Sequence, residues 1–303
     1  MLTEAFARAA AAREDTELVA VWDTARNRAR PVPGRQLASS IARKAFGEPA
    51  AAPRTASLAR ICRRVGVPLR VPPRRDVNAP ELADGLRHDD VELALSLLCP
   101  QIFGPELLGV FRRAVNYHNG LLPAYGGVRA TAWSVYRGEG ETGFTFHLMT
   151  PEVDGGPLLV ADRLPIAPGS TAAEVEREKT ARAVAAVPRA LDALLADEPG
   201  TAQTGPRELF RWADVLRIHD VEEPGALTWD ELERRLRAFE VLSMQLDGGR
   251  YHVTRLVRVD GSPRRTQLAF RTADGILAEP TRFVHLPLGL YRGYRLLRRG
   301  GRR

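Results

Sequence analysis

Asn116 and His118 stand two residues apart at the end of an apolar stretch, just before a turn containing Gly120, Pro123, Gly126 and Gly127. On an extended segment residues i and i+2 share a face, so the carboxamide and the imidazole point toward one pocket. A carboxamide can donate to developing negative charge, and an imidazole, whose ordinary pKa lies near neutrality, can move a proton. A second glycine-punctuated turn, TPEVDGG, carries Asp154 after a following strand. In a parallel sheet strand ends converge on one edge, so that carboxylate can reach the imidazole. A histidine beside a turn is also a common structural hydrogen-bonder, and the residues alone leave both roles open.

The elements that must position these groups read as alternating strands and helices. Residues 2 to 13 have helical periodicity, and ELVAVWD (17–23) and VELALSLLC (91–99) are short apolar runs of the kind found in strands buried on both faces. SLARICRRVGVPLRV reads as helix, glycine stop and strand, and residues 79 to 87 as a helix. At least one helix is expected within residues 26–56. AWSVYRGE reads as a helix in which Trp133 and Tyr136 face the core, Trp133 lying near enough to the turn to line a pocket. ETGFTFHLM alternates Phe144, Phe146 and Leu148 with Thr145 and His147, which predicts a strand with one face buried. Thr171 and Glu174 form a capping box for a long helix reaching about Leu195. Residues 197–206, DEPGTAQTGP, have the composition of a linker. After it come the helix LTWDELERRLRAF and four glycine-separated stretches with strand periodicity, 241–249, 251–262, 264–275 and 276–286. The expected organisation is an α/β layer sandwich over 1–200 and a small β-rich domain over 207–303. The chain enters on a helix where a strand and turn ordinarily come first, so the sheet is expected to lack a first strand.

At 303 residues and 44% hydrophobic content the chain can bury a large core. No run of about 18 apolar residues exists to span a membrane, and the acid-containing opening is unlike a signal peptide, so a cytoplasmic location is expected. Cys62 and Cys99 form no CxxC pair, and the six histidines form no HxxxH or HExxH spacing, so no metal is expected. His147 reads as a satisfied histidine, His219 and His285 as isolated ones, and His252 as part of the alternation of a strand. The glycine pairs at 126–127 and 155–156 are too short for a phosphate-cradling loop. The net charge of +7 is almost wholly arginine, with Lys44 and Lys179 the only lysines, and the arginine-rich tail LYRGYRLLRRGGRR reads as a solvated terminus.

The string NYHNGLLPAYGGVRATAWSVYRGEGETGFTFHLMTPEVDGGPLL resembles the signature region of the 10-formyltetrahydrofolate-dependent formyltransferases. The shared elements are Asn-x-His (Asn116, His118), Leu-Leu-Pro (121–123), Thr-Gly before a strand (Thr142, Gly143) and Asp154 in an acidic glycine turn. Asn119 stands where proline is common. The resemblance implies a Rossmann-like catalytic domain with a small β-rich C-terminal domain and 10-formyltetrahydrofolate as co-substrate without a metal. It also implies direct transfer of the formyl group to an amine. Asn116 would donate to the formyl oxygen, His118 would donate or move a proton, and Asp154 would orient His118 and help to accept the proton of the amine. The pterin slot would be formed by Gln101, Ile102, Phe103, Leu122, Pro123, Met149 and Val153.

The run Ala-Thr-x-Trp after the turn (130–133) is closer to the branches that modify small molecules, so the expected acceptor is the primary amine of an amino sugar nucleotide or a natural-product intermediate. Methionyl-tRNA is the less favoured acceptor, supported by length and basic charge. A folate-binding protein without turnover and hydrolysis of the formyl donor are the further alternatives.

Overall fold

The computed structural model describes residues 1–24 and 58–286. The helix expected within 26–56 and the basic tail lie outside them. In chain order the elements are α1 (Leu2–Ala11), β1 (Val21–Trp22), α2 (Leu58–Val65), β2 (Leu69–Arg70), α3 (Pro80–His88), β3 (Leu93–Leu97), α4 (Pro105–Leu108) and β4 (Arg113–His118). There follow β5 (Gly126–Gly127), α5 (Ala130–Arg137), β6 (Glu141–Leu148), β7 (Leu158–Pro165), α6 (Ala172–Ala185) and α7 (Val187–Leu195). The remainder comprises β8 (Leu209–Phe210), α8 (Trp212–His219), β9 (Asp220–Val221), α9 (Trp229–Phe239), β10 (Leu242–Leu246), β11 (Gly249–Arg258), β12 (Phe270–Arg271) and β13 (Leu277–Leu286).

The sheet that positions the site runs β3-β4-β6-β7. β3 and β4 are parallel, whereas β4 with β6 and β6 with β7 are antiparallel, so the α/β layer carries a mixed sheet. Its two faces are sorted by the period of two. Val115 and Tyr117 of β4 and Phe144 and Phe146 of β6 point into a core with Leu2 and Phe6 of α1 and Ala183, Val187, Ala190 and Leu194 of α6 and α7. Asn116, His118, Thr145 and His147 take the other face, where Asn116 is registered opposite His147 and His118 opposite Thr145. That face is covered too, so Thr142 to His147 are buried on both sides rather than on the one expected. Burying Phe144 and Phe146, which are wholly inaccessible, contributes about 1.5–3 kcal/mol each and locks the register that delivers the polar set to the opposite face.

Several expected elements differ. ELVAVWD yields only the two half-buried residues of β1, paired in parallel with β2. VELALSLLC becomes β3, an outer strand of the sheet that is mostly half-buried instead of buried on both faces. The long helix starts at the capping box of Thr171 and Glu174 but divides at Ala186, because Pro188 has no N–H to continue it and suits a first turn. Residues 197–206 do not run free: Thr201 bridges to Leu158, and the side-chain amide of Gln203 donates to the carbonyls of Asp154 and Gly156, both at 2.8 Å. Beyond them β8 pairs with β5, and Phe210 stacks on Trp133 with ring centroids 4.4 Å apart. Trp133 therefore belongs to a core with Tyr125, Val215 and Phe239.

α9 matches its sequence reading, capped by Thr228 accepting from the N–H of Glu231, with Leu232 and Phe239 buried. The C-terminal sheet runs β12-β13-β11-β10-β9 around its own cluster of Leu242, Met244, Val253 and Leu232. Residues 264–275 contribute only the two residues of β12, and α8 was not expected. Among the described residues no helix is long and apolar enough to cross a membrane.

Candidate functional site

Asn116 and His118 leave the end of β4 and face a cleft of about 1450 Å³. The backbone after His118 is tied down residue by residue. Thr145 Oγ1 donates to the carbonyl of Gly120 at 2.8 Å and accepts from the N–H of Leu122 at 3.4 Å. Only glycine fits at 120, since a Cβ there would lie 2.6 Å from the carbonyl oxygen of Tyr125 and 2.8 Å from His118 Nε2.

That carbonyl fixes the imidazole. His118 Nε2 lies 2.5 Å from Tyr125 O, and because a carbonyl only accepts, the ring carries its proton on Nε2. Nδ1 is then the basic atom, and it faces Asp154 Oδ2 at 3.5 Å. Burial pushes the His118 pKa below the ordinary imidazole value, Asp154 and the Tyr125 carbonyl pull it back up, and His147 and Lys179 add to the lowering. The net lowering leaves the ring neutral and Nδ1 able to accept a proton.

Asp154 does not arrive by convergence of parallel strands. It comes from the loop between the antiparallel β6 and β7, which folds back over the site face. Its left-handed φ of 52° is one that a short polar residue tolerates. Oδ2 accepts from the N–H of Gly127 at 2.7 Å, and Gly127, at φ 84°, approaches Phe210 so closely that a Cβ would sit 2.1 Å from its carbonyl oxygen. Burial alone would raise the Asp154 pKa, but its contacts with the His147 and His118 rings and the Gly127 N–H outweigh it, so the carboxylate is held below its usual range.

His147 is a fourth member of the cluster. Its Nδ1 donates to the carbonyl of Leu148 at 2.9 Å, leaving Nε2 to accept from the Asn116 amide at 3.2 Å. Nε2 is also 3.5 Å from Asp154 Oδ1. The contact with Asn116 turns its amide nitrogen toward the histidine and leaves the second amide hydrogen for a ligand. The sequence reading of a satisfied histidine was accurate about the hydrogen bonds and missed that the site provides them. The available signal was the Thr145/His147 alternation, two polar side chains sharing a face with Asn116 and His118.

Of the residues assigned to the pterin slot, Ile102, Phe103, Met149 and Val153 line the same cleft. Gln101 also borders it, but its amide nitrogen is occupied by the carbonyls of Thr24 and Arg75 and its oxygen accepts from the N–H of Val77, so it braces the 98–103 loop. Leu122 and Pro123, joined by a cis peptide bond, lie in the turn that follows His118 and are not among the residues lining the cleft. Leu98 and Ile102 are large apolar residues left 67% and 66% exposed at the rim. Arg129, Arg211, Trp212 and Arg217 border another part of the cleft, Trp212 remaining 38% exposed.

Comparison with known sequences is decisive at the level of family: the sequence profile described as formyl transferase matches residues 11–191. The chain belongs to the formyl transferase family. A GDP-perosamine N-formyltransferase of Brucella melitensis is 33% identical over 147 residues, 46% of this chain and 55% of that protein. A methionyl-tRNA formyltransferase of Trichlorobacter lovleyi is 37% identical over 106 residues, 35% of this chain and 33% of that protein. This chain thus spans about half, or less, of the length of these formyltransferases. Among solved structures, a sugar N-formyltransferase from a Shewanella species aligns with TM-score 0.57 at 20% identity, covering 82% of this chain and 98% of that one. An N-formyltransferase from Helicobacter canadensis, solved with folinic acid and dTDP-3-aminofucose, aligns with TM-score 0.55 at 15% identity over 77% of this chain and 85% of that one. These likenesses extend the formyltransferase fold to this chain.

Proposed function

We propose that this formyltransferase moves a formyl group from 10-formyltetrahydrofolate directly to the primary amine of an amino sugar nucleotide or a comparable natural-product intermediate. The observation that carries the reading is the convergence of Asn116, His118 and Asp154 in one cleft, with His118 presenting Nδ1 as its basic atom. The folate supplies the formyl carbon, and Phe103, Met149 and Val153 give an apolar wall suited to a flat heteroaromatic ring. A cleft of about 1450 Å³ accommodates donor and acceptor together. Asn116, its amide oriented by His147, donates to the formyl oxygen as negative charge builds there. His118 Nδ1 accepts the proton of the attacking amine, and the Asp154 carboxylate stabilises the imidazolium that results. As the tetrahedral carbon collapses its bond to folate N10 breaks, and the imidazolium returns the proton to that nitrogen, releasing tetrahydrofolate. An acceptor carrying phosphates would meet Arg129 and Arg211 along the cleft. The match to GDP-perosamine N-formyltransferase supports an amino sugar.

The test is turnover of 10-formyltetrahydrofolate with a panel of nucleotide-linked amino sugars, free amino sugars, amino acids and methionyl-tRNA, following tetrahydrofolate release. Turnover with nucleotide-linked amino sugars that disappears in His118→Ala is the expected result. Turnover with methionyl-tRNA alone, falling steeply as salt is raised, would move the acceptor to tRNA. Binding of folate without turnover of any amine would leave a binding protein.

A further inference from the structure

Lys179 lies on α6 behind the site, in a chain whose 44 basic residues include only two lysines. It has no solvent exposure at all. A buried ammonium costs several kcal/mol unless it is well paired, so an apolar residue would suit the position better unless the charge is used. Its Nζ donates to the carbonyl of Asn119 at 2.7 Å and to Thr131 Oγ1 at 2.5 Å, with Glu176 Oε2 3.9 Å away. The Thr131 hydroxyl in turn donates to Glu176, and Asn119 Nδ2 donates to the other Glu176 oxygen at 3.5 Å. Two residues of α6, one of α5 and the residue that follows His118 therefore form a closed ring.

We infer that Lys179 is a positioning residue of the formyl-transfer site, its ammonium group holding the backbone after His118 so that Nδ1 of the imidazole faces Asp154. The two carbonyls following His118 are gripped by different elements, that of Asn119 by Lys179 of α6 and that of Gly120 by Thr145 of β6. The same turn brings round the Tyr125 carbonyl that fixes the Nε2 proton. The positive charge has a second effect, opposing protonation of His118. The groups that face His118 are Asp154 from the β6–β7 loop, His147 of β6 and Lys179 of α6, and Glu176 faces Lys179. Burial lowers the Lys179 pKa to about 8, with Glu176 opposing, so below that pH the charge is present.

The inference rests on His118 being the proton acceptor, and its test separates the two. In the protein without substrates, labelled with 15N-histidine, the His118 titration is followed by NMR in the wild type, Lys179→Met and Thr131→Val, with His118→Gln supplying the assignment. Lys179→Met is expected to move the His118 midpoint to higher pH, while Thr131→Val, which leaves the charge, is expected to leave it in place. In turnover, Lys179→Met is expected to lower kcat about tenfold or more, as for a slightly misplaced base, with KM for the folate changed less than about twofold. Its acid limb should follow the His118 midpoint. An unmoved His118 titration together with an unchanged kcat would overturn the assignment. If Lys179→Met does not fold, Thr131→Val removes one of the two ring partners: a lowered kcat at constant folate KM is expected, and an unchanged kcat would overturn the hold. An active His118→Gln variant would defeat the acceptor role itself, whatever the titrations show.

Discussion

Asp154→Asn removes one negative charge from beside the basic nitrogen and little else, which makes it the sharpest perturbation of the site. The asparagine oxygen can still accept from the Gly127 N–H, which reaches Asp154 at 2.7 Å. What is lost is the attraction between the carboxylate and an imidazolium whose Nδ1 is 3.5 Å away. At an effective dielectric constant of about 20 that attraction amounts to roughly 4–5 kcal/mol. It is realised only as the proton arrives, so nearly all of it falls on the barrier, and roughly a thousandfold loss of kcat is expected at about 1.4 kcal/mol per decade. The pH profile gives an independent sign. Asp154 raises the His118 pKa, so its removal should move the acid limb of kcat to lower pH while the plateau drops. Steady-state tetrahydrofolate release from pH 5 to 9, with thermal melts to show that the variant is folded, measures both. A kcat within tenfold of the wild type, or an acid limb displaced to higher pH, would refute the assignment of Asp154 as the partner of a proton-accepting His118.

Gly120→Ala would place a methyl 2.6 Å from the Tyr125 carbonyl and from Ala130 Cβ, so a destabilisation of about 1–3 kcal/mol and a disproportionate loss of activity are expected from parallel denaturation and turnover measurements. Gln203→Ala frees the carbonyls of Asp154 and Gly156; a loss of about 1–2 kcal/mol and a kcat reduction smaller than that of Asp154→Asn are expected, and an unchanged kcat would show that the segment 197–206 does not support the loop. His252, buried in the C-terminal sheet, has a pKa lowered to about 3, chiefly by burial and then by His219. It must fold neutral, so its contribution is complete above about pH 6.5 and is lost as pH falls toward 3, amounting to about 2 kcal/mol less stability at pH 5 than at pH 7. Denaturant unfolding of the wild type and His252→Leu at the two pH values checks this, the variant showing the smaller dependence. Thr171→Ala breaks the capping box that opens α6 and should cost about 1 kcal/mol by the same measurement.

What the sequence by itself determined was local. The i, i+2 spacing of Asn116 and His118 put them on one face of β4, and the alternation of Phe144 and Phe146 with Thr145 and His147 sorted core from site across β6, because a strand reports its faces with a period of two. The Thr171 capping box and three of the four glycine-separated C-terminal strands were equally legible, since caps and turns are chemistry between near neighbours. Tertiary structure decided the rest. That β6 runs antiparallel to β4, so that Asp154 reaches His118 on a loop folding back, depends on a strand pairing that no spacing states. That Tyr125 fixes the imidazole proton depends on a backbone carbonyl, which is identical in every residue type and therefore invisible in a sequence. That the N–H of Leu122 is held by Thr145, that His147 orients Asn116, and that Lys179 is buried behind His118 follow from contacts between residues 23 to 60 positions apart, where side-chain chemistry is set by the partner it meets and not by its own position in the chain.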